Sequence, residues 1–486
     1  MKYFVARSKR MFLAAALGLI TPLATAAYLN PNGLGQVLIY PYYTVNNNYV
    51  TFVSVINTTN TGKAVKVRLL ESYNGRDVQD FNLYLSPTDY WVGAVVDSGN
   101  GGAAIFTTDN SCTVPKLPTS APGLAFTTKN FDGTGIQGAD GGPSNAARTR
   151  EGHVEIIEMG TVNGPSLVAI THNNGVPTDC PSIVGAWASG GRWQAAPSTD
   201  IGPPTGGLSG NATMIDVGRG MIFSYDAEAV AQFYAAGSSP QHTDPSSLTP
   251  NISSGTSLMA SVSTEEGGTF PLTFSRAIDA VSALFMTDSV QNEYWTSATT
   301  ASASDWVITY PTKRFYVDPY YVMGASALPP FDNKFSSANG GTAPVASSAV
   351  VFDREEYTPS PSAAIFPPPP IQLPSLPYET QVVTFNQAKP APSAVLGSNL
   401  SFNVATSGLA NGWAEIGGLL PNQPSASFLL TASNGETLSG RPTTGFRVSQ
   451  LINGNVGGIL ANYTVLYQHK MHVACRHSQN SSDPCS

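Results

Sequence analysis

The chain has 486 residues, 42% of them hydrophobic and only 12% charged, with a formal net charge of −8. Such a composition can bury a core, which excludes global disorder, and its acidic, lysine-poor balance argues against nucleic acid and anionic membrane as partners. The length suits one large elaborated domain or two to three ordinary ones.

Lys2, Arg7, Lys9 and Arg10 precede the apolar run MFLAAALGLITPLA and then Ala24-Thr25-Ala26. This is the pattern of a secretory signal peptide over residues 1–26, cut before Ala27. The run is shorter than the ~20 residues of a spanning helix, and no later stretch reaches that length, so no transmembrane segment is expected. Without the leader, 20 basic residues face 32 acidic ones, a formal charge of −12. The expected destination is the cell surface or extracellular space, with the periplasm as the other exported compartment. Four cysteines remain: Cys112, Cys180, Cys475 and Cys485. An even count in an oxidising compartment predicts two structural disulfides. Of the three pairings, Cys112–Cys180 with Cys475–Cys485 is preferred, because the last two share a short polar tail.

Strand patterns dominate from there. GQVLIYPYYTV, NYVTFVSVINTTN, KAVKVRLLES, VQDFNLYLS and DYWVGAVVD make residues 36–97 a five-strand antiparallel unit, with a hairpin turn at Asn74-Gly75. Lys66 and Arg68 alternate with Val65, Val67 and Leu69, the pattern of a half-buried strand. Residues 98–150 read as a long Gly- and Ser-rich loop insertion pinned by Cys112. GHVEIIEMGTV, SLVAITHN and ATMIDVGRGMIFSYDAEAVAQFY read as strands. The one helix is SRAIDAVSALFM, with Ile278, Val281 and Phe285 on one stripe and Ser275 as its cap. DWVITYPTKRFYV, SSAVVFDREEY and ETQVVTFN are strands again. Residues 27–358 thus form a β-sandwich region, and 359–377 a proline-rich connector. Residues 378–486 either complete the same sandwich or form a second small β domain. The fold class is all-β: large antiparallel β-sandwiches, immunoglobulin-like in the loose sense, with long Gly/Pro-rich loops and one short helix. An outer-membrane barrel is the other all-β solution, but proline is spread widely and Ser486 ends the sequence where an aromatic residue is expected.

Near the end, HKMHVACRHSQNSSDPCS holds three of the six histidines. Alternation puts Tyr463, Val465, Tyr467, His469, Met471, Val473 and Cys475 on one face of a single half-buried strand. At ~3.3 Å per residue, His469 and Cys475 stand roughly 20 Å apart, too far to share one metal ion. His469 and Met471 are adjacent on that face and form a weak copper candidate. Gly133, Gly135 and Gly138 match G-x-G-x-x-G but are followed by more Gly, Pro and Ser rather than a helix, so nucleotide binding is not expected. Asp132 and Asp140 in the same loop are candidate calcium contacts without EF-hand spacing. Asp353, Glu355 and Glu356 have the residue type of a glycosidase pair, although charged residues at a sheet edge are the commoner reason for such a run. No nucleophile elbow, zinc-protease or haem-attachment motif occurs. Tyr and Trp cluster in YPYYTV, DYWVGAV, NEYWT, FYVDPYY and LPYET, either as core or as rings that stack on sugars or anchor an interface.

KAVKVRLLESYNGRDVQDFNLYLSPTDYWVGAV, DWVITYPTKRFYV with VFDREE, and GFRVSQLINGNVGGILANYTVLYQHK together resemble exported, cell-surface β-rich proteins of Gram-negative bacteria. The resemblance covers most of the mature chain in pieces. It implies a bacterial exported β-protein and brings neither an activity nor catalytic residues. The expected function is a non-enzymatic surface or extracellular-matrix protein, structural or adhesive, with self-assembly or surface polysaccharide as its partner. A carbohydrate-binding or carbohydrate-active protein is the alternative, and a copper-binding exported protein the weaker one.

Overall fold

The computed structural model describes residues 26–264, 268–356, 371–372, 375–386, 393–417, 428–477 and 480–484. Most of the expected signal peptide, most of the proline-rich connector, and Cys485 with its expected bond to Cys475 lie outside them. Strands predominate and pair almost entirely antiparallel, giving an all-β sandwich architecture.

The first sandwich uses β1 (Val37–Thr44), β2 (Val50–Asn57), β3 (Gly62–Glu71), β4 (Asp77–Leu85), β5 (Tyr90–Asp97), β6 (Glu151–Val162), β7 (Asn211–Asp216) and β8 (Met221–Asp226). The five strands expected over residues 36–97 all form, but they divide between two sheets. One runs β1-β6-β3-β4 and the other β8-β7-β2-β5. Tyr40, Val67 and Phe81 from the first meet Val53, Trp91 and Phe223 from the second in one core. β3 and β4 form the expected hairpin, and Gly75 takes φ +66° at its turn. A Cβ there would also stand 2.4 Å from the Glu379 carboxylate, so glycine is required twice over.

A second set of strands comprises β9 (Ser289–Trp295), β10 (Ser302–Thr309), β11 (Ser348–Asp353), β12 (Thr380–Asn386), β13 (Asn411–Gly417), β14 (Thr444–Val456), β15 (Ile459–Gln468) and β16 (Lys470–His472). One sheet runs β11-β13-β9-β16 and another β12-β10-β14-β15. The second is a middle layer. Val307, Val382 and Phe446 enter the first core, while Trp306, Ile308 and Val383 enter a second core with Val290, Ala414 and Val351. Within it, β10 and β12 are buried along most of their length on both faces.

Several local expectations are corrected. SLVAI is helical, within α1 (Gly164–Ile170), because Pro165 opens it and Ser166, Ala169 and Ile170 bury one face. The segment CPSIVGAW forms α2 (Cys180–Trp187), capped by Asp179, whose carboxylate accepts from the Ser182 N–H at 3.1 Å. α3 (Ala277–Ala283) starts after Arg276 rather than Ser275, without a side-chain cap, and ends before Phe285. KRFYV turns as a short helix, Arg314–Val317, after β10 stops. The 98–150 region is not all loop, since Ala103–Phe106 and Cys112–Val114 add strands to the two sheets. The terminal strand breaks at His469: β15 pairs β14 in one sheet, and β16 pairs β9 in the other. Its odd face is not uniformly inward. Tyr463 and Tyr467 are exposed, while even-numbered Leu466 packs on the core.

Lys66 and Arg68 are not solvent-facing. They lie beneath the 242–250 segment, where Lys66 Nζ donates to the Asp244 carbonyl at 2.7 Å and Arg68 Nη1 to the Pro250 carbonyl at 3.0 Å. Arg68 Nη2 also reaches Asp77 at 2.5 Å. Beside them, Arg314 bridges Glu155 and Glu379, the latter at 2.6 Å. Arg76 pairs with Asp318 at 2.7 Å, and Arg148 with Glu71 at 2.8 Å and with Asp140. Buried charges survive only when paired, and here each cation meets a carboxylate or carbonyls.

Candidate binding cleft

A cleft opens where β9, β13 and the β15–β16 crossover meet. It encloses about 540 Å³ and is lined by Gln291, Asn292, Glu293, Trp413, Tyr467, Gln468 and Lys470. Register builds it: Glu293 lies opposite Trp413, which lies opposite Phe352, and Gln291 lies opposite Lys470.

Two aromatic rings face solvent here, Trp413 at 40% and Tyr467 at 57% exposure. Both are backed by other groups. Phe352 stacks on Trp413 with centroids 4.5 Å apart and planes 14° from parallel. The Arg447 guanidinium lies 5.1 Å from the Tyr467 centroid and 4.8 Å from that of Trp295. Arg447 is itself buried and donates to Glu293 at 2.6 Å, while its Nε and Nη2 have no hydrogen-bond partner among the described residues. Gln291 Nε2 donates to Glu415 at 2.8 Å. Asn292 Nδ2 donates to the carbonyls of Tyr467 and Gln468, each at 3.2 Å, and so pins the crossover that carries Tyr467. The cleft therefore joins two supported ring faces to carboxylate, amide and ammonium groups. That combination suits a ligand with apolar faces and hydroxyl edges.

The sequence candidates fall elsewhere. His469 is buried at the crossover, where Nε2 donates to the Val307 carbonyl at 3.0 Å and Nδ1 faces Asn292 Nδ2 at 3.3 Å. Both ring nitrogens are thus engaged within the fold. Burial lowers its pKa to about 4, with the Arg447 charge acting in the same direction. Met471 packs against the second core, and His472 Nδ1 meets Asp288 at 2.6 Å. Asp132 accepts from Thr128 and Thr134, whereas Asp140 is held by Arg148 and Asn74. No group of three or more His, Cys, Asp or Glu suited to a metal occurs among the described residues. Gly133, Gly135 and Gly138 follow a four-residue helix and lead into irregular chain. β11 ends at Asp353, and Glu355 and Glu356 sit in the exposed turn beyond it, so Asp353 and Glu355 do not share a strand face. Cys112 and Cys180 form a disulfide that ties the first sandwich to α2. No helix among the described residues is long and apolar enough to cross a membrane.

Most aromatic clusters supply core: Tyr40, Tyr42, Tyr43, Trp91 and Tyr316 are all buried. NEYWT alone reaches the cleft, through Glu293 and the supporting Trp295. Trp413 and Tyr467 carry no sequence signal beyond an aromatic ring in an otherwise ordinary strand. No protein family, curated protein or solved structure matches this chain.

Proposed function

We propose that this is an exported, non-enzymatic surface protein with a structural and adhesive role, and that it grips carbohydrate in the Trp413–Tyr467 cleft. The observation that carries this reading is the pair of exposed, supported rings flanking Gln291, Glu293 and Lys470. A pyranose offers C–H faces to rings and hydroxyls to carboxylates and amides, and rings held in place lose little entropy on binding. The Cys112–Cys180 bond supports export, because disulfides persist in oxidising compartments. Screening the purified mature chain on immobilised polysaccharides and oligosaccharides tests the proposal, with released reducing ends assayed in parallel. Retention without cleavage supports it. Cleavage would replace the non-enzymatic part with a hydrolase.

Self-assembly is the second reading, favoured by Val456, Ile459, Leu460 and Tyr463, all exposed on the β14–β15 hairpin. Sedimentation of the mature chain at rising concentration tests it, and a strictly monomeric protein contradicts it.

A further inference from the structure

Arg441 shares no cavity with the sugar cleft and is 3% exposed. Its guanidinium lies on the Phe428 ring, 3.7 Å from the centroid. Nη1 donates to the Gly440 carbonyl at 3.2 Å, whereas Nε and Nη2 have no hydrogen-bond partner among the described residues. Asp332 Oδ1 stands 4.0 Å from Nη2, beyond hydrogen-bond reach, and is one-third exposed. Lys313, also buried, gives its ammonium to the carbonyls of Pro377 and Tyr378 and lies within electrostatic reach of Arg441. Lys313 faces the Glu379 carboxylate, already engaged by Arg314, so the partly solvated Asp332 is the acidic group nearest Arg441.

Arg441 lines a cavity of about 30 Å³ together with the polar residues Ser289 and Tyr310 and the apolar Ile308 and Val345. Asp288 also lines it, but its carboxylate is turned to His472 at 2.6 Å. The volume fits one or two waters or a single monatomic ion. Water would satisfy the two N–H groups and leave the buried charge balanced only by the partly solvated Asp332, whereas an anion answers both needs.

We propose that this cavity binds a small monovalent inorganic anion of the chloride class. The Nε–H and Nη2–H of Arg441 hold it, with the Tyr310 and Ser289 hydroxyls beside it. The bound ion ties the Phe428–Arg441 segment to β9 and β10, and by mass action it stabilises the folded chain.

The test is the thermal midpoint of the full mature chain at constant ionic strength, in sodium chloride, sodium bromide or sodium gluconate. Chloride and bromide should raise the midpoint saturably by several degrees over gluconate, and Arg441→Gln should abolish the difference. If that variant does not fold, anomalous diffraction from wild-type crystals grown in bromide decides the matter. A peak beside Nε and Nη2 of Arg441 supports the site. Equal midpoints in all three salts, or no peak there, mean water only and overturn it.

Discussion

His469 shows how a residue chosen for metal chemistry serves the fold. It sits where the chain leaves one sheet for another, and it must stay neutral to donate to Val307 while facing Asn292. Its pKa is lowered from the ordinary 6.5 to about 4. The unfolded chain therefore takes up the proton first, so this contribution is full above about pH 6.5 and is lost as pH falls toward 4. The gap corresponds to about 3 kcal/mol. Urea melts between pH 7 and pH 4 should show a stability loss that His469→Gln reduces, since the amide can still donate to Val307. An unchanged pH slope in the variant would show that His469 is not responsible. Arg314 is the opposite case, a permanent charge between Glu155 and Glu379. Arg314→Met strands both carboxylates and should cost about 3–5 kcal/mol, read as a lower denaturation midpoint. In the cleft, Tyr467→Ala should leave the melting midpoint within a few degrees, because the ring is more than half exposed.

At the scale of elements, the chain beyond β14 is a clamp between sheets. Leu466 packs on the first core, Met471 on the second, and Val473 on a third cluster. Fully burying such a side chain contributes about 1.5–3 kcal/mol, so these three partly buried ones together still hold an appreciable share of the ~5–15 kcal/mol of a folded domain. A chain ending at Asn462 should therefore lose its cooperative thermal transition, and a soluble truncation that melts cooperatively would show the clamp to be peripheral. The Cys112–Cys180 bond closes a loop with a sequence separation of 68. Replacing both cysteines with serine should lower stability by about 4 kcal/mol in denaturant melts.

Over the whole molecule, strand identity was legible wherever side chains alternate, as in β3 and β4, because the period of two is local information. Layering was not. Lys66 and Arg68 read as a wet face, yet residues about 180 positions away cover them. The cleft was half legible for the same reason. NEYWT stood out by its local density of rings, while Trp413 and Tyr467 gain meaning only when β9, β13 and β15 converge. SLVAI was misread because its burial period had to be weighed against β-branched composition, and Pro165 was the signal that decides it.

If the two supported rings form a saccharide site, each must contribute to its affinity. The deciding measurement is isothermal titration of the best-retained glycan against wild type, Trp413→Ala and Tyr467→Ala. Base–aromatic stacking by comparable rings is worth about 1–3 kcal/mol, so each substitution should weaken binding by roughly 5- to 150-fold while circular dichroism and melting stay near wild type. Undiminished binding by both folded variants, or no binding by wild type to any glycan, would contradict the account.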